Sequence, residues 1–574
     1  MIDETQIVLI IELVLILLFS IALYCFYIKK NTFFLVGIVT VFLWFLNFGL
    51  IVLIPFDIYY NITQTEKSEK DINNTILSIS YGCSYWIIFV LSWVFLPVLK
   101  EYENRGEFTK MEKLKGAIKS NIMFYVILGI VAGVGLIGCV IYVIIVDTEK
   151  FVPFFQSLYI FCIDASNFYG LLFIIFMLGY SIPKIPLSLW GKFNNAKRIK
   201  YLEFKTGSIC QDIVKGKKDL LKYGHQIQAT LDDLRYEDDK DKNEIEPYET
   251  NLEEILQEYK DNKELYEIDL NEDRNDEKSI KKVSDLITLH STIKKTQNNI
   301  LFLNCQLKKL YKEWKFRKSL TLYQVVSTDE NKKEPLDNDN FEPVEISGFK
   351  RFYHLKLKPI LIIIAIVLVL AFDAILLFSE VTFFAGFNGC LFGLIIKKVS
   401  GFFAVHVFTI VPLLAIYYFT TFSLFRMKIS LFIGVHGNHH TNSFSILFLT
   451  NFICTIGFAL GVHFLDLIKI SDTEKTETTE TTETTKMTKM TELYGFKLTT
   501  FLQQIMQFFF PIFLILLVII QYFNVFNKVM SCLGFPTFGD SDESKEIESD
   551  GRRYLHDLDK EIKKSKDLDM KIDI

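Results

Sequence analysis

Nine apolar stretches, each long enough to cross a bilayer, alternate with polar segments along this chain. They run over Ile7–Ile28, Phe33–Ile54, Ile76–Leu99, Ile122–Val146, Leu158–Tyr180, Pro359–Phe378, Phe402–Phe425, Phe444–Leu467 and Phe508–Phe526. About 20 apolar residues suffice to span the hydrocarbon core as a helix. In lipid each backbone amide must find its partner within the protein, so runs of this length are expected to be helices. The pattern predicts an all-α integral membrane protein with nine spans. It divides the chain into spans one to five (1–180), a polar insert (181–358), spans six to nine (359–530) and a tail (531–574).

Within the insert the periodicity changes to that of a water-facing helix. Leu286, Leu289, Ile293, Thr296, Ile300, Leu303, Leu307, Leu310 and Trp314 recur at alternating intervals of three and four. That is an a/d heptad over four turns of the repeat, about 42 Å of helix. A weaker stripe precedes it at Leu220, Ile227, Leu231 and Leu234, and a short one lies between at Leu252, Ile255, Leu256 and Tyr259. The economical reading is an antiparallel coiled-coil hairpin over about 205–320. Its stripe could close on itself or dock a cytoplasmic or membrane protein partner. Two further segments read as solvated: the Thr/Glu/Lys repeat at Asp472–Thr491, within an outer loop at 470–495, and the charged tail beyond Gly539.

Composition supports a membrane chain: 50% hydrophobic residues, 15% aromatic, 54 Phe. A net charge of −5 argues against nucleic acid as a partner and leaves membrane lipid as the expected one. The nine Cys are scattered singly, with no zinc-ligand or disulfide spacing. The N-terminus opens on Asp3 and Glu4 and leads into a long apolar run, unlike a cleaved signal. Lys and Arg concentrate in the loops after spans one, three, five and seven, which places those loops in the cytoplasm. The N-terminus is then outside or lumenal and the C-terminus cytoplasmic, at the plasma membrane or the endosomal–lysosomal membrane. The sequons at Asn61 and Asn73, in the loop after span two, fall on the outer side and are glycosylation candidates. The apolar stretch at 383–396 is short for a span and reads as re-entrant or interfacial.

Few chemical motifs survive their context. Gly133-x-Gly135-x-x-Gly138 mimics a dinucleotide fingerprint but lies inside span four with no strand before it. Gly129 and Gly133 there suggest close helix packing. Asn438-His439-His440 lacks a third metal ligand and reads as a loop feature. Polar residues inside spans matter more, because charge in hydrocarbon is expensive and faces a cavity or a partner. Asp164, Asn167, Asp373, His406 and His463, with Asp466, all fall nearer the outer face and could line a shared vestibule; interfacial capping is the bland alternative. No catalytic triad, paired carboxylate set or phosphate loop is readable, so no enzyme, metal or cofactor is expected.

Several local sequences carry a resemblance. They are Ile54-Pro55-Phe56-Asp57, Ala165-Ser166-Asn167-Phe168-Tyr169-Gly170-Leu171, Leu178-Gly179-Tyr180, Ile185-Pro186 through Trp190, and Asn195-Ala196-Lys197-Arg198. Farther on are Ser379-Glu380-Val381-Thr382-Phe383-Phe384, His439-His440-Thr441, Leu533-Gly534-Phe535 and Phe538-Gly539-Asp540. In this order they resemble the limb-region-type (LMBR-type) membrane proteins, closest to the second subtype of the LMBR-domain-containing group. The Thr/Glu repeat departs from that pattern. The resemblance implies nine helices, an outside N-terminus and a non-catalytic receptor or signalling-adaptor role, including modulation of G-protein-coupled-receptor signalling. A second branch of the family implies the alternative, a transporter or transport accessory for a cobalamin- or lipid-type ligand.

Overall fold

In the computed structural model the described residues are 4–29, 32–63, 67–146, 151–236, 245–261, 279–328, 341, 343–384, 390–399, 401–426, 435–468 without 436 and 438, 488–494, 501–523, 525 and 542–567. Among them every regular element is a helix, joined by one isolated bridge between Ile28 and Thr441. In chain order the helices are α1 (Glu4–Tyr27), α2 (Phe34–Thr63), α3 (Lys67–Val90), α4 (Leu96–Asn104), α5 (Lys110–Val146) and α6 (Phe151–Phe193). There follow α7 (Asn195–Tyr236), α8 (Glu249–Asp261), α9 (Val283–Thr328), α10 (Gly348–Phe352) and α11 (Lys358–Phe384). The last are α12 (Leu391–Lys398), α13 (Phe402–Arg426), α14 (Ser443–Ile468), α15 (Lys489–Tyr494), α16 (Phe501–Tyr522) and α17 (Asp542–Asp567). One π-helical turn joins α3 to α4 and another joins α10 to α11.

Seven helical segments among the described residues are long and apolar enough to cross a membrane. They are Glu4–Tyr27, Phe34–Ile62, Thr75–Asn104, Cys162–Phe193, Gly348–Thr382, Phe402–Leu424 and Ser443–Ile468. They match expected spans one, two, three, five, six, seven and eight. The expected ninth corresponds to the shorter apolar helix Phe508–Tyr522. The fourth lies on α5, many of whose side chains fall outside the described residues.

Two compact units emerge. The first comprises Met1–Glu103, Leu114–Lys184 and Leu370–Phe523. Here α2 packs against α1, α3, α13 and α14. Helix α14 is the most enclosed, with 78% of its apolar window buried, against 6% for α1. Small residues let helices approach it: a Cβ on Gly170 of α6 would strike Ala459 and the carbonyl of Thr455. Buried hydroxyls return to their own helix, as when Thr450 donates to the Ile446 carbonyl at 2.8 Å.

Several expectations about this unit need correction. Helix α2 does not stop at Pro55 but runs through it to Thr63, since neighbouring helices compensate for one lost amide. Asn61 therefore sits in the final turn of a helix, not in a loop, and Asn73 lies on the backbone of α3. Among the described residues a Cβ added at Gly129 or Gly133 would meet nothing within 4 Å, so these glycines bring no described helix close; Ile127, Ile130 and Val134 around them are exposed. Of 383–396, the described part ends α11 and forms α12, which buries Phe392, Gly393 and Ile396. At eight residues α12 is far too short to span. Most of the Thr/Glu repeat lies outside the described residues, but its end enters α15, with Met490 and Tyr494 buried.

The second unit comprises Asn104–Lys113, Ile185–Val369 and Asn524–Ile574. Helices α7 and α9 form its long pair, and α8 closes over them with Leu252 and Ile255 buried. The expected arm is longer than 205–320, because both helices extend beyond it. The charged stretches Glu237–Lys242 and Asp269–Lys278 of the insert lie outside the described residues. The tail is not a solvated end: α17 packs along α7. Ile547, Gly551, Leu555, Leu558 and Ile562 recur every three or four residues, the signature of an amphipathic helix. Leu555 joins the core of Leu202, Ile209, Leu307 and Trp314.

Candidate functional site

The five polar residues expected to line an outer vestibule all lie in the first unit and are all buried. Asn167 on α6 donates from Nδ2 to the Tyr494 carbonyl at 2.6 Å, fastening α15. One turn earlier, Asp164 is fully buried. His406 on α13 meets Glu12 of α1, Nε2 to Oε1, at 2.8 Å, with the rings of Phe56 and Phe402 against it. His463 on α14 meets Glu380 of α11 at 2.9 Å and stacks on Phe510 with centroids 4.1 Å apart. Three of the five thus take three separate partners on three helices.

Asp373 differs from these. It is 4% exposed, and neither carboxylate oxygen has a hydrogen-bond partner among the described residues. Its chain neighbours Phe372 and Ile375 pack on Cys390, Phe392 and Leu467. A buried carboxylate without a donor is costly to keep as an anion and is relieved either by taking a proton or by meeting a partner.

A further residue was legible only as part of the family resemblance. Asp57 accepts from the amides of Lys489 (2.8 Å) and Met490 (2.9 Å), one to each oxygen. It supplies from α2 the acceptors for the first two amides of α15, whose own Thr488 turns its hydroxyl to Thr491. Lone carboxylates in apolar helices were the signal for Glu12 and Glu380, since each needs a partner. Among the described residues no three His, Cys, Asp or Glu side chains converge as metal ligands.

In the second unit the expected docking stripe is enclosed by the arm itself. Leu286, Leu289, Ile293, Ile300, Leu303, Leu307 and Leu310 are all buried. Leu286 to Ile300 pack with Leu220, Ile227 and Leu231 of α7, and Leu303 to Leu310 with Leu202, Ile209 and Leu555. A partner would therefore meet other faces of the arm.

A polar seam runs beside this core. Glu203 accepts from Trp314 Nε1 and from Arg552 Nε, both at 3.1 Å. Asp559 accepts from the Tyr311 hydroxyl at 2.7 Å and from Lys315 at 2.6 Å. Burial, and then the Asp559 carboxylate, push the Tyr311 hydroxyl up, so it remains a donor. Burial, helped by Asp550, pushes the Cys210 thiol up to about 12, which leaves it unreactive. Burial alone would raise Glu313, but Arg198 and Arg317 outweigh it and hold the carboxyl below its ordinary range. His290 bonds through Nδ1 to the Gly106 carbonyl at 2.6 Å and stacks on Phe108. Burial, reinforced by Lys294, drives it down to about 4, so it is neutral and Nδ1 donates.

Comparison with known proteins follows the same lines. The family described as LMBR1-like membrane protein matches residues 5–526. The chicken (Gallus gallus) G-protein coupled receptor-associated protein LMBRD2 is 24% identical over 563 residues, 91% of this chain and 79% of that one. The human (Homo sapiens) protein of the same name is 22% identical, over 85% of this chain and 70% of its own. LMBR1 domain-containing protein 2 homolog B of Dictyostelium discoideum is 21% identical, over 85% and 62%. No solved structure matches. With most of its length matched and several helices able to span a bilayer, the chain belongs to the LMBR1-like membrane proteins, multi-pass integral membrane proteins whose second subtype supplies its relatives.

Proposed function

We propose that this protein is a non-enzymatic membrane signalling adaptor that associates with a G-protein-coupled receptor and engages it, or a cytoplasmic effector, through the helical arm. The carrying observation is full-length similarity to proteins named as receptor-associated. The arm's construction supports it: α7, α9 and α17 share a closed core, which makes a rigid body with polar outer faces. We assign nine spans, an outside N-terminus and a cytoplasmic arm and C-terminus. Loop charge and the sequons at Asn61 and Asn73 support that orientation.

The test combines topology with partner identity. An epitope at Lys240 should need permeabilisation for detection, and Asn61 or Asn73 should carry glycan in a eukaryotic host. A proximity label fused at Lys240 should mark a seven-helix receptor or its effectors. Detection of Lys240 on intact cells would invert the orientation, and labelling free of receptor components would sink the adaptor reading.

A second reading, a small-molecule transporter or accessory with an outer polar vestibule, rests on one observation, the Asp373 carboxylate that has no hydrogen-bond partner among the described residues. Asp164→Asn and Asp373→Asn should then leave trafficking intact while weakening ligand-dependent activity. Variants indistinguishable from the parent protein in that activity would end this reading.

A further inference from the structure

Cations and exposed aromatic rings gather on one side of the second unit, where the chain enters α11. The segment Gly348-Phe349-Lys350-Arg351-Phe352-Tyr353-His354-Leu355-Lys356-Leu357-Lys358 alternates the two kinds of residue. Phe349 is 78% exposed and Phe352 54%. Helix α10 and the π-helical turn after it are each tied to α9: the Arg351 guanidinium lies 4.2 Å over the Tyr323 ring, and His354 meets Phe316 at 4.7 Å.

Among the described residues the charge there is poorly balanced. His354 faces Lys358, Arg317 and Lys350, and Lys358 faces Arg317 and Lys192. Lys358 Nζ sits 3.4 Å from His354 Nδ1, which accepts from it. The carboxylate that reaches Lys358 is Glu313, already shared between Arg198 (2.9 Å) and Arg317 (3.0 Å). Arg351 Nε is buried and makes no hydrogen bond among the described residues. Cations held together without a matching anion repel one another, and an added anion relieves that repulsion.

Position selects the anion. The helical run Gly348–Thr382 has 35 residues, about 52 Å at helical rise, whereas the hydrocarbon core needs only about 30 Å. The excess must stand among headgroups, and its basic end is the one described here. Trp190 and Phe193, stacked and exposed at the end of α6 beside Lys192, have the same interfacial chemistry.

We propose that this collar binds the phosphorylated headgroup of an anionic phospholipid in the leaflet on the arm's side. Arg351 and Lys350, with Lys356 and Lys358, grip the phosphate. Leu357 and Ile360, exposed and nearer the hydrocarbon, enter the adjoining acyl region, while Phe352 stands with Trp190 and Phe193 at headgroup level. The proposal does not depend on receptor association or on which compartment that leaflet faces.

The experiment uses the purified full-length chain in neutral detergent. It is titrated with short-chain phosphatidylinositol bisphosphate, phosphatidylserine, phosphatidylcholine and free inositol trisphosphate, and bound species are counted by native mass spectrometry. Both anionic lipids should bind, the bisphosphate more tightly, and phosphatidylcholine should not compete. Affinity should fall with added salt. The triple variant Lys350→Gln, Arg351→Gln, Lys356→Gln should lose roughly a hundredfold, at about fivefold per cation. Lys281→Gln with Lys282→Gln, elsewhere on the arm, should lose nothing. Leu357→Ser should weaken the lipids but not inositol trisphosphate, and with the salt series it decides the matter if the triple variant fails to fold. Equal binding of neutral and anionic lipid, an unaffected triple variant, or free inositol trisphosphate binding as tightly as the lipid would overturn the proposal. So would a triple variant that keeps its lipid but loses a co-purifying protein.

Discussion

The most enclosed helix of the membrane unit and the long helix of the arm face opposite solvents, and that difference shows in what each unit leaves exposed. On α9 the buried face is Leu286, Ile293, Ile300, Leu307 and Trp314, with Arg317 buried at its far end, while Lys294, Lys308, Lys309 and Lys312 are exposed. On α14 the buried set includes Ser445, Thr450, Cys454, Gly457, Gly461 and His463 beside its apolar residues. The segment Gly348–Thr382 is the more apolar of two spans, with mean hydropathy 3.3, yet 11% of its window is buried. Ser443–Ile468 has 2.0 and 78%. Around the arm the solvent is water, so apolar area is driven inward. Around the spans the solvent is as apolar as leucine, so small and polar residues mark the protein-facing side.

The largest effect that tests this contrast is a charge on the arm's core. Ile300 is fully buried and lies against the position of Gly216. Ile300→Asp should cost about 4 kcal/mol or more, combining a lost aliphatic side chain with an unpaired charge. Thermal unfolding of the arm with loss of helical circular dichroism is the measure. An unchanged melting temperature would break the claim that the heptad face is sealed.

Next comes its counterpart in the membrane unit. Gly170→Leu forces α6 away from Ala459 and Thr455 of α14 and should cost about 1–3 kcal/mol. Gly133→Leu, on an open surface, should be nearly silent. Detergent-solubilised melting temperatures separate the two. Equal effects would mean that small residues do not mark the protein-facing side.

A smaller effect is expected at the cap of α15. Asp57→Ala strips the acceptor from two amides and should cost about 1–2 kcal/mol. Faster hydrogen exchange confined to Lys489–Tyr494 is the expected signature. Exchange unchanged there would show that the cap holds nothing.

The mildest test is pH. His290 is neutral in the fold, held at about 4, well below its ordinary 6.5. A depressed value means that the unfolded chain takes up its proton first, so this contribution is complete above about pH 6.5 and is lost as pH falls toward 4. Hydrogen exchange at Gly106–Phe108 should rise over that window, and His290→Phe should flatten the response. A profile flat in the unsubstituted protein would remove His290 as its source.

The arm's long pair could be read from the sequence because the interval of three and four between Leu286 and Trp314 encodes the buried face directly. The membrane helices were legible as elements for a different reason, namely that lipid permits little else. Their partners were not. Glu12 and His406 lie 394 residues apart, and Glu380 and His463 lie 83 apart. Local spacing says nothing about which buried carboxylate meets which imidazole. The continuation of α2 past Pro55 was equally hidden, because the rule that proline ends a helix holds in water and weakens inside a bundle.

By itself, then, the sequence determined an all-helical multi-pass protein with a separate helical arm, since hydrocarbon length and heptad period act over neighbouring residues. The tertiary structure decided that α17 closes the arm, that Asp57 caps a helix 432 residues away, and that Asp373 lacks, among the described residues, the partner the two histidines found. Each of these depends on which helix faces which, and that is settled by side-chain packing between segments far apart in the chain.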